Sequence, residues 1–362
     1  MLEKYGHGGD LLTAAELYGS GGAFLDFSAN INPLGPPPGV LDLLRNSVSA
    51  VTAYPDPGHR RLKSLLAESL GVTRERITVG NGAAESMALL LLAVKPRTVG
   101  IIEPCFSEYR QLAGQFGAEV LSVQGTKEQG YRAGTLQIAG LLERVDLLFL
   151  GQPNNPNGVQ YALDDLRQLA QQAERCGTVL AVDEAFIDFI PGERRQSLLP
   201  ELERCRHTVL IRSMTKFYAI PGLRLGYTIA APELAAAMTG KQVTWSVNGL
   251  ALLAGEACLH SGRGYEERTR GLIAAEREAL RQGLLRLGCE VPPGEANFLL
   301  LGLPAPWSAA SLQEKLGHSG ILVRSCAMYP GLAPGHIRVA VKGPEDNARL
   351  LREMAEIMRA GV

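Results

Sequence analysis

A chain of 362 residues, 46% hydrophobic and 20% charged with a formal net charge of −1, can bury a large core and divide into two domains. The near balance of charge removes the electrostatic argument for a nucleic-acid or anionic-membrane partner, so a small ligand is expected, with room for a local basic pocket that takes a phosphorylated molecule. The six cysteines, at positions 105, 176, 205, 258, 289 and 326, show no CxxC pair and no zinc-like spacing with the six histidines. That pattern predicts no metal site and a reducing compartment. The N-terminus MLEKYGHGGD has no apolar leader region, and the longest apolar run, 87–94, is too short to span a bilayer. A cytoplasmic protein is expected.

In chain order, residues 1–44 are rich in Gly and Pro through DFSANINPLGPPPG and show little periodicity, which predicts an arm that packs on something else, the small domain. From about Ile77 to Ile229, short apolar runs alternate with amphipathic helical stretches: TVGII (98–102), EVLSV (119–123), DLLFL (146–150), TVLAV (178–182), TVLIR (208–212) and LRLGYTIA (223–230). Continuous apolar strands between helices predict an α/β fold with a mainly parallel sheet covered on both faces, a large domain over 45–246. Long helical segments at 247–260 and 264–287 form connecting helices over 247–288. NFLLLGL, a helix, ILVRS, HIRVAV and a final helix from about Pro344 then predict a smaller α+β domain over 289–362. No internal repeat is evident.

Several strand ends carry chemistry. Ser213-Met214-Thr215-Lys216 follows TVLIR, and Arg224 lies shortly beyond. A lysine there, flanked by a hydroxyl and followed by a guanidinium, suits an aldehyde cofactor with a phosphate handle: the amine forms the imine, the other two hold the phosphate. Asp183 ends TVLAV and can pair with a protonated pyridine nitrogen; taken alone it would be a helix cap or a surface acid. Gly80-Asn81-Gly82-Ala83-Ala84-Glu85 opens a helix after ITV, presenting backbone N–H groups and a helix dipole to a phosphate, or simply making a tight turn. Asn155, in QPNNPNG, is the candidate donor to a phenolic oxygen, and Phe106, in EPCF, either stacks on a ring or fills core.

Together NGAAE, EPCF, NNPNG, DEAF, SMTK and Arg224, in that order, resemble the fold-type I pyridoxal-phosphate enzymes over essentially the whole chain. The resemblance implies pyridoxal 5'-phosphate held at Lys216 as a Schiff base, with Asp183 on the ring nitrogen. Ala83, Ala84, Ser213 and Arg224 would bind the phosphate, Phe106 would stack, and Asn155 would meet the ring oxygen. It also implies a homodimer in which Tyr54 of YPDP reaches the neighbour's cofactor phosphate.

Two branches of that family fit: histidinol-phosphate aminotransferases and L-threonine-O-3-phosphate decarboxylases of cobamide synthesis. His7-Gly8-Gly9, DFSANINPLGPP, SMTKFYAIPGLRLGY and ILVRSCAMYPGL resemble the decarboxylases, and Phe186 stands where the aminotransferases commonly have a tyrosine. By resemblance, Arg338 of HIRVAV is a carboxylate clamp, and Arg324 with His7, Gly8, Asn30 and Asn155 holds the phosphorylated substrate. Absent the resemblance, both arginines would be ordinary strand-edge groups and His7 a disordered terminal residue. The expected reaction is a carboxy-lyase step giving (R)-1-amino-2-propanol O-2-phosphate and carbon dioxide. Histidinol-phosphate transamination, serine phosphate as substrate and a non-catalytic cofactor-binding module are the alternatives; no basic extension favours a nucleic-acid role.

Overall fold

The structure, a computed structural model, describes residue 2 and residues 7–19 and 23–360. Part of the predicted arm, residues 1, 3–6 and 20–22, lies outside them. In chain order the described strands are β1 (Leu25–Asp26), β2 (Ile77–Gly80), β3 (Thr98–Glu103), β4 (Glu119–Gln124), β5 (Leu147–Gly151) and β6 (Val179–Asp183). They continue with β7 (Thr208–Ser213), β8 (Gly226–Ile229), β9 (Phe298–Gly302), β10 (Ile321–Leu322), β11 (Arg324–Ser325) and β12 (His336–Ala340).

Seven strands form one sheet in the order β2-β8-β7-β6-β5-β3-β4. All pairings are parallel except those of β8, which runs antiparallel to both neighbours. The reason the runs read as continuously apolar is visible in β5. Leu147 and Phe149 join one core cluster, and Leu148 and Leu150 join the other, on the opposite face. Side chains alternate with period two, so a strand buried on both faces needs apolar residues at every position. The helix Leu163–Cys176 buries only Leu166, Leu169, Ala170 and Ala173, the single stripe expected of a helix packed on a sheet face. Each such leucine, moved from water to core, contributes about 1.5–3 kcal/mol.

A three-stranded antiparallel sheet, β11-β12-β9, forms farther along the chain, and β1 pairs in parallel with β10. Ala340 N–H donates to Phe27 C=O, so the segment after β1 is sewn to β12 as well.

Three local expectations change. The arm is not featureless: Leu11–Tyr18 is a helix, started by Asp10, whose carboxylate accepts the Thr13 N–H (3.0 Å) and hydroxyl (2.6 Å). This capping chemistry is independent of hydrophobic periodicity. The run ILVRS is two short strands, not one, because Ile321–Leu322 pairs with β1 while Arg324–Ser325 pairs with β12. The strand in LRLGYTIA is confined to Gly226–Ile229, since Pro221–Leu223 is a turn of 3-10 helix and Arg224 takes a left-handed backbone.

Candidate active site

The carboxyl ends of β5, β6 and β7 converge on a cavity of about 650 Å³. Lys216 and Asp183 both line it. Lys216 belongs to the short helix Met214–Phe217 directly after β7; Ser213 caps that helix, and its Oγ lies 3.3 Å from Lys216 Nζ. Removal from water lowers the lysine from its ordinary 10.5 to about 8; Arg224 and Arg338 push the same way, and Asp183 opposes them. Asp183 is held in register with Ile211 of β7 and accepts the Ala185 N–H at 3.0 Å. Burial pushes its carboxyl up, against the lowering effects of Tyr109, Lys216 and Ala185.

Tyr109 is the group that sequence reasoning missed. Its hydroxyl donates to Asp183 Oδ2 at 2.6 Å, and its ring stacks on Phe149 at 5.0 Å. Phe106, three residues earlier, lines the cavity and meets Tyr109 edge-on at 5.7 Å. The only sequence signal was the spacing within EPCFSEY, which puts Tyr109 in the first turn of the helix Glu108–Gln115; nothing in it identifies the acid across the sheet.

Ala83 and Ala84 open the helix Ala83–Val94, whose N-cap, Gly82, supplies no side-chain cap. Gly82 has φ +85°, and a Cβ there would lie 2.9 Å from Arg224 Nη2. Glycine suits the left-handed turn, and a Cβ there would displace the guanidinium from its present position. Arg224 is itself a non-glycine residue at φ +58°. The combination of uncapped helix N–H groups, a close guanidinium and the Ser213 hydroxyl fits a phosphate. With Lys216 and Asp183 farther along the same cavity, the residues present fit pyridoxal phosphate.

The opposite wall carries two guanidiniums. Arg324 and Arg338 face each other across β11 and β12 and are only 2% and 6% exposed. Arg338 donates to Asn155 Oδ1 at 2.6 Å and to Ser28 C=O at 2.8 Å, while its buried Nε has no hydrogen-bond partner. Burial lowers the Arg338 guanidinium from its usual range, and Arg324 adds to the effect. Like charges set opposite each other out of water are costly, and an anion between them relieves that cost. Because Asn155 Oδ1 accepts from Arg338, the amide N–H₂ is the end of Asn155 left to donate to a ligand.

His7, Gly8 and Asn30 line the same cavity. Asn30 Oδ1 is buried without a partner. His7 Nε2 is 2.5 Å from Glu108 Oε1. Tyr54 is not among the residues lining this cavity; it is 79% exposed and stacks on Trp245 at 4.3 Å. Phe186 lines the cavity with its ring 5.3 Å from Lys216 Nζ.

The family model "Aminotransferase class I and II" matches residues 23–354. The chain is 38% identical over 355 residues to the threonine-phosphate decarboxylase of Salmonella typhimurium, covering 97% of this chain and 96% of that protein. It is 32% identical over 358 residues to an adenosylcobalamin biosynthesis bifunctional protein of Leptospira interrogans, covering 97% of this chain and 41% of that protein. A histidinol-phosphate aminotransferase of Symbiobacterium thermophilum is 34% identical over 340 residues, 92% of this chain and 90% of that one. The solved histidinol-phosphate aminotransferase of Clostridium acetobutylicum superimposes with a TM-score of 0.86 at 31% identity, covering 93% of this chain and 99% of that one.

Proposed function

The chain belongs to the class I and II aminotransferase family, and from that premise we propose that it is a pyridoxal-phosphate-dependent carboxy-lyase. Its substrate is L-threonine O-3-phosphate and its products are (R)-1-amino-2-propanol O-2-phosphate and carbon dioxide, a step of cobamide synthesis. The observation that carries this reading is the pair of buried arginines, Arg324 and Arg338, facing the lysine and acid across one cavity. A substrate with a carboxylate at one end and a phosphate at the other answers both. The decarboxylase of Salmonella typhimurium and the adenosylcobalamin protein of Leptospira interrogans support the substrate and the pathway.

Pyridoxal phosphate, when bound, supplies an electron sink for the breaking Cα–carboxylate bond. Ala83, Ala84, Ser213 and Arg224 hold its phosphate, Asp183 its ring nitrogen and Phe106 one ring face. Asn155 donates its amide to the ring oxygen, and Arg338 fixes that amide by taking its oxygen. Tyr109 keeps a hydrogen bond on Asp183, which favours the ionised acid that a ring cation needs. Arg324 and Arg338, with His7, Gly8 and Asn30, would hold the substrate's anionic groups and orient its Cα. Lys216 Nζ, with its affinity for protons lowered, returns a proton to Cα after carbon dioxide leaves.

We further read residues 1–44 as an arm belonging with the 289–362 unit, on the support of the β1–β10 pairing; residues 45–246 form the cofactor domain and 247–288 the connecting helices. A homodimer is proposed, in which Tyr54 completes the neighbour's site. Exposed Val48, Val51, Tyr54, Val243 and Trp245 support an apolar subunit surface. Among the described residues no cysteine is in a disulfide and five of the six are buried, which fits a reducing cytoplasm. Among the described residues no helix is long and apolar enough to cross a membrane.

The test is incubation of cofactor-loaded protein with L-threonine O-3-phosphate, without any keto acid, following carbon dioxide and the amine. Turnover that is lost in Lys216→Ala is expected. The 34% identity to a histidinol-phosphate aminotransferase supports a second reading. No carbon dioxide, but consumption of histidinol phosphate with 2-oxoglutarate, would establish it.

A further inference from the structure

Residues His7, Gly8, Gly9 and Leu11 line the cavity, and the described part of this segment is fastened at two points. On one side Gly9 N–H donates to Ser28 Oγ at 2.8 Å, and Ser28 Oγ donates in turn to Asp26 at 2.5 Å. Gly8 sits so close to this segment that a Cβ would lie 2.3 Å from Ser28 O, the same oxygen that accepts from Arg338. On the other side His7 reaches Glu108 at 2.5 Å, and its ring lies 5.8 Å from Phe106. The first fastening joins the arm to the arginine wall, the second to the helix Glu108–Gln115 on the cofactor wall.

The two fastenings differ in kind. Around Gly8 and Gly9 the attachment is backbone-mediated and partly buried. At His7 it depends on one side-chain pair, with His7 47% exposed and Glu108 13% exposed. Glu108 is otherwise an anomaly, a carboxylate lining a cavity whose opposite wall is built for anions. Unpaired, it would repel a phosphorylated substrate; paired with the imidazole, its charge is directed at the arm.

We propose that Glu108 is a positioning residue that latches His7 to the helix Glu108–Gln115, so that the arm is held against the substrate cavity by the His7–Glu108 pair. Glu108 acts through His7. The latch therefore governs how tightly substrate is held, not the cofactor cradle. Its kinetic consequence rests on the proposed reaction; its structural consequence does not.

The experiment compares wild type, Glu108→Gln, Glu108→Ala, His7→Ala and the double alanine variant, each loaded with pyridoxal phosphate. Hydrogen exchange of amides 8–18 and the KM and kcat for L-threonine O-3-phosphate are measured, with cofactor content read from visible absorbance. Glu108→Ala is expected to speed exchange across 8–18 and to raise KM about three- to fivefold, the range of a partly exposed side-chain hydrogen bond. Its kcat and cofactor content stay near wild type. Glu108→Gln, which keeps an acceptor, falls between the two. In the His7→Ala background, removing Glu108 speeds exchange no further and raises KM no further, since only the loss of an unpaired carboxylate remains. Unchanged exchange in Glu108→Ala, a KM that falls, or effects that add in the double variant would each overturn the latch. A wild type inactive on threonine phosphate would sink the proposed reaction instead, and the exchange comparison would still decide the latch.

Discussion

At Lys216, burial and two guanidiniums work against one carboxylate, and the amine is brought down to about 8. The sign has two consequences for the cofactor-free protein. Between about 8 and the ordinary 10.5 the unfolded chain holds a proton that the folded one has released, so stability rises with pH across that window. The neutral, nucleophilic amine also appears earlier than on a free lysine. Modification of Lys216 by trinitrobenzenesulfonate, followed by peptide mapping, should show a rate midpoint near pH 8; a midpoint near 10.5 would remove this account of the site. Tyr109 supplies the second residue-scale prediction. A hydrogen bond to a charged group contributes about 1.5–3 kcal/mol, so Tyr109→Phe should lower kcat by about tenfold or more with folding intact. Near-wild-type kcat would reduce Tyr109 to a packing residue. Lys216 and Asp183 are legible in sequence because their motifs end strands, and Arg224 through its spacing from the lysine. Tyr109 is not, because its partner lies 74 residues away.

The strands of the main sheet are legible for a related reason. A strand covered on both faces must be apolar throughout, and a run such as LLFL reports that environment directly. Leu148, fully buried in β5, is a test of it: Leu148→Ala should cost about 2–5 kcal/mol in urea unfolding of the holoenzyme, measured from the midpoint shift, with the m-value unchanged. A loss within half a kilocalorie would mean that the site collapses around the gap. Short elements are less legible. Ile321–Leu322 and Arg324–Ser325 follow one another in one short run, and only their different partners, β1 and β12, separate them. The helix after Asp10 is announced by a cap and not by periodicity, so a reading of hydrophobic pattern passes over it.

For the whole molecule, the strand order places β5, β6 and β7 side by side, and their carboxyl ends therefore gather Asn155, Asp183 and Lys216 at one point. Arg324 and Arg338 arrive from a separate sheet and reach the same cavity through contacts such as Arg338 to Ser28, 310 residues apart. The proposed homodimer belongs to this scale. Tyr54→Ala with Trp245→Ala removes the stacked, exposed aromatic pair and should weaken self-association by at least about tenfold in sedimentation velocity, with cofactor affinity falling in parallel. A monomeric double variant with undiminished cofactor affinity would separate Tyr54 from the neighbour's site. The sequence by itself determined the α/β sheet, the strand-end positions of the lysine and the acid, and the glycine turn that opens the helix Ala83–Val94, because burial pattern and local backbone geometry act over a few residues. Only the tertiary structure decided that Tyr109 holds Asp183, that Arg324 lies against Arg338, and that Glu108 meets His7. Those pairings join segments far apart in the chain, and their distances are set by how the sheets and the arm pack together.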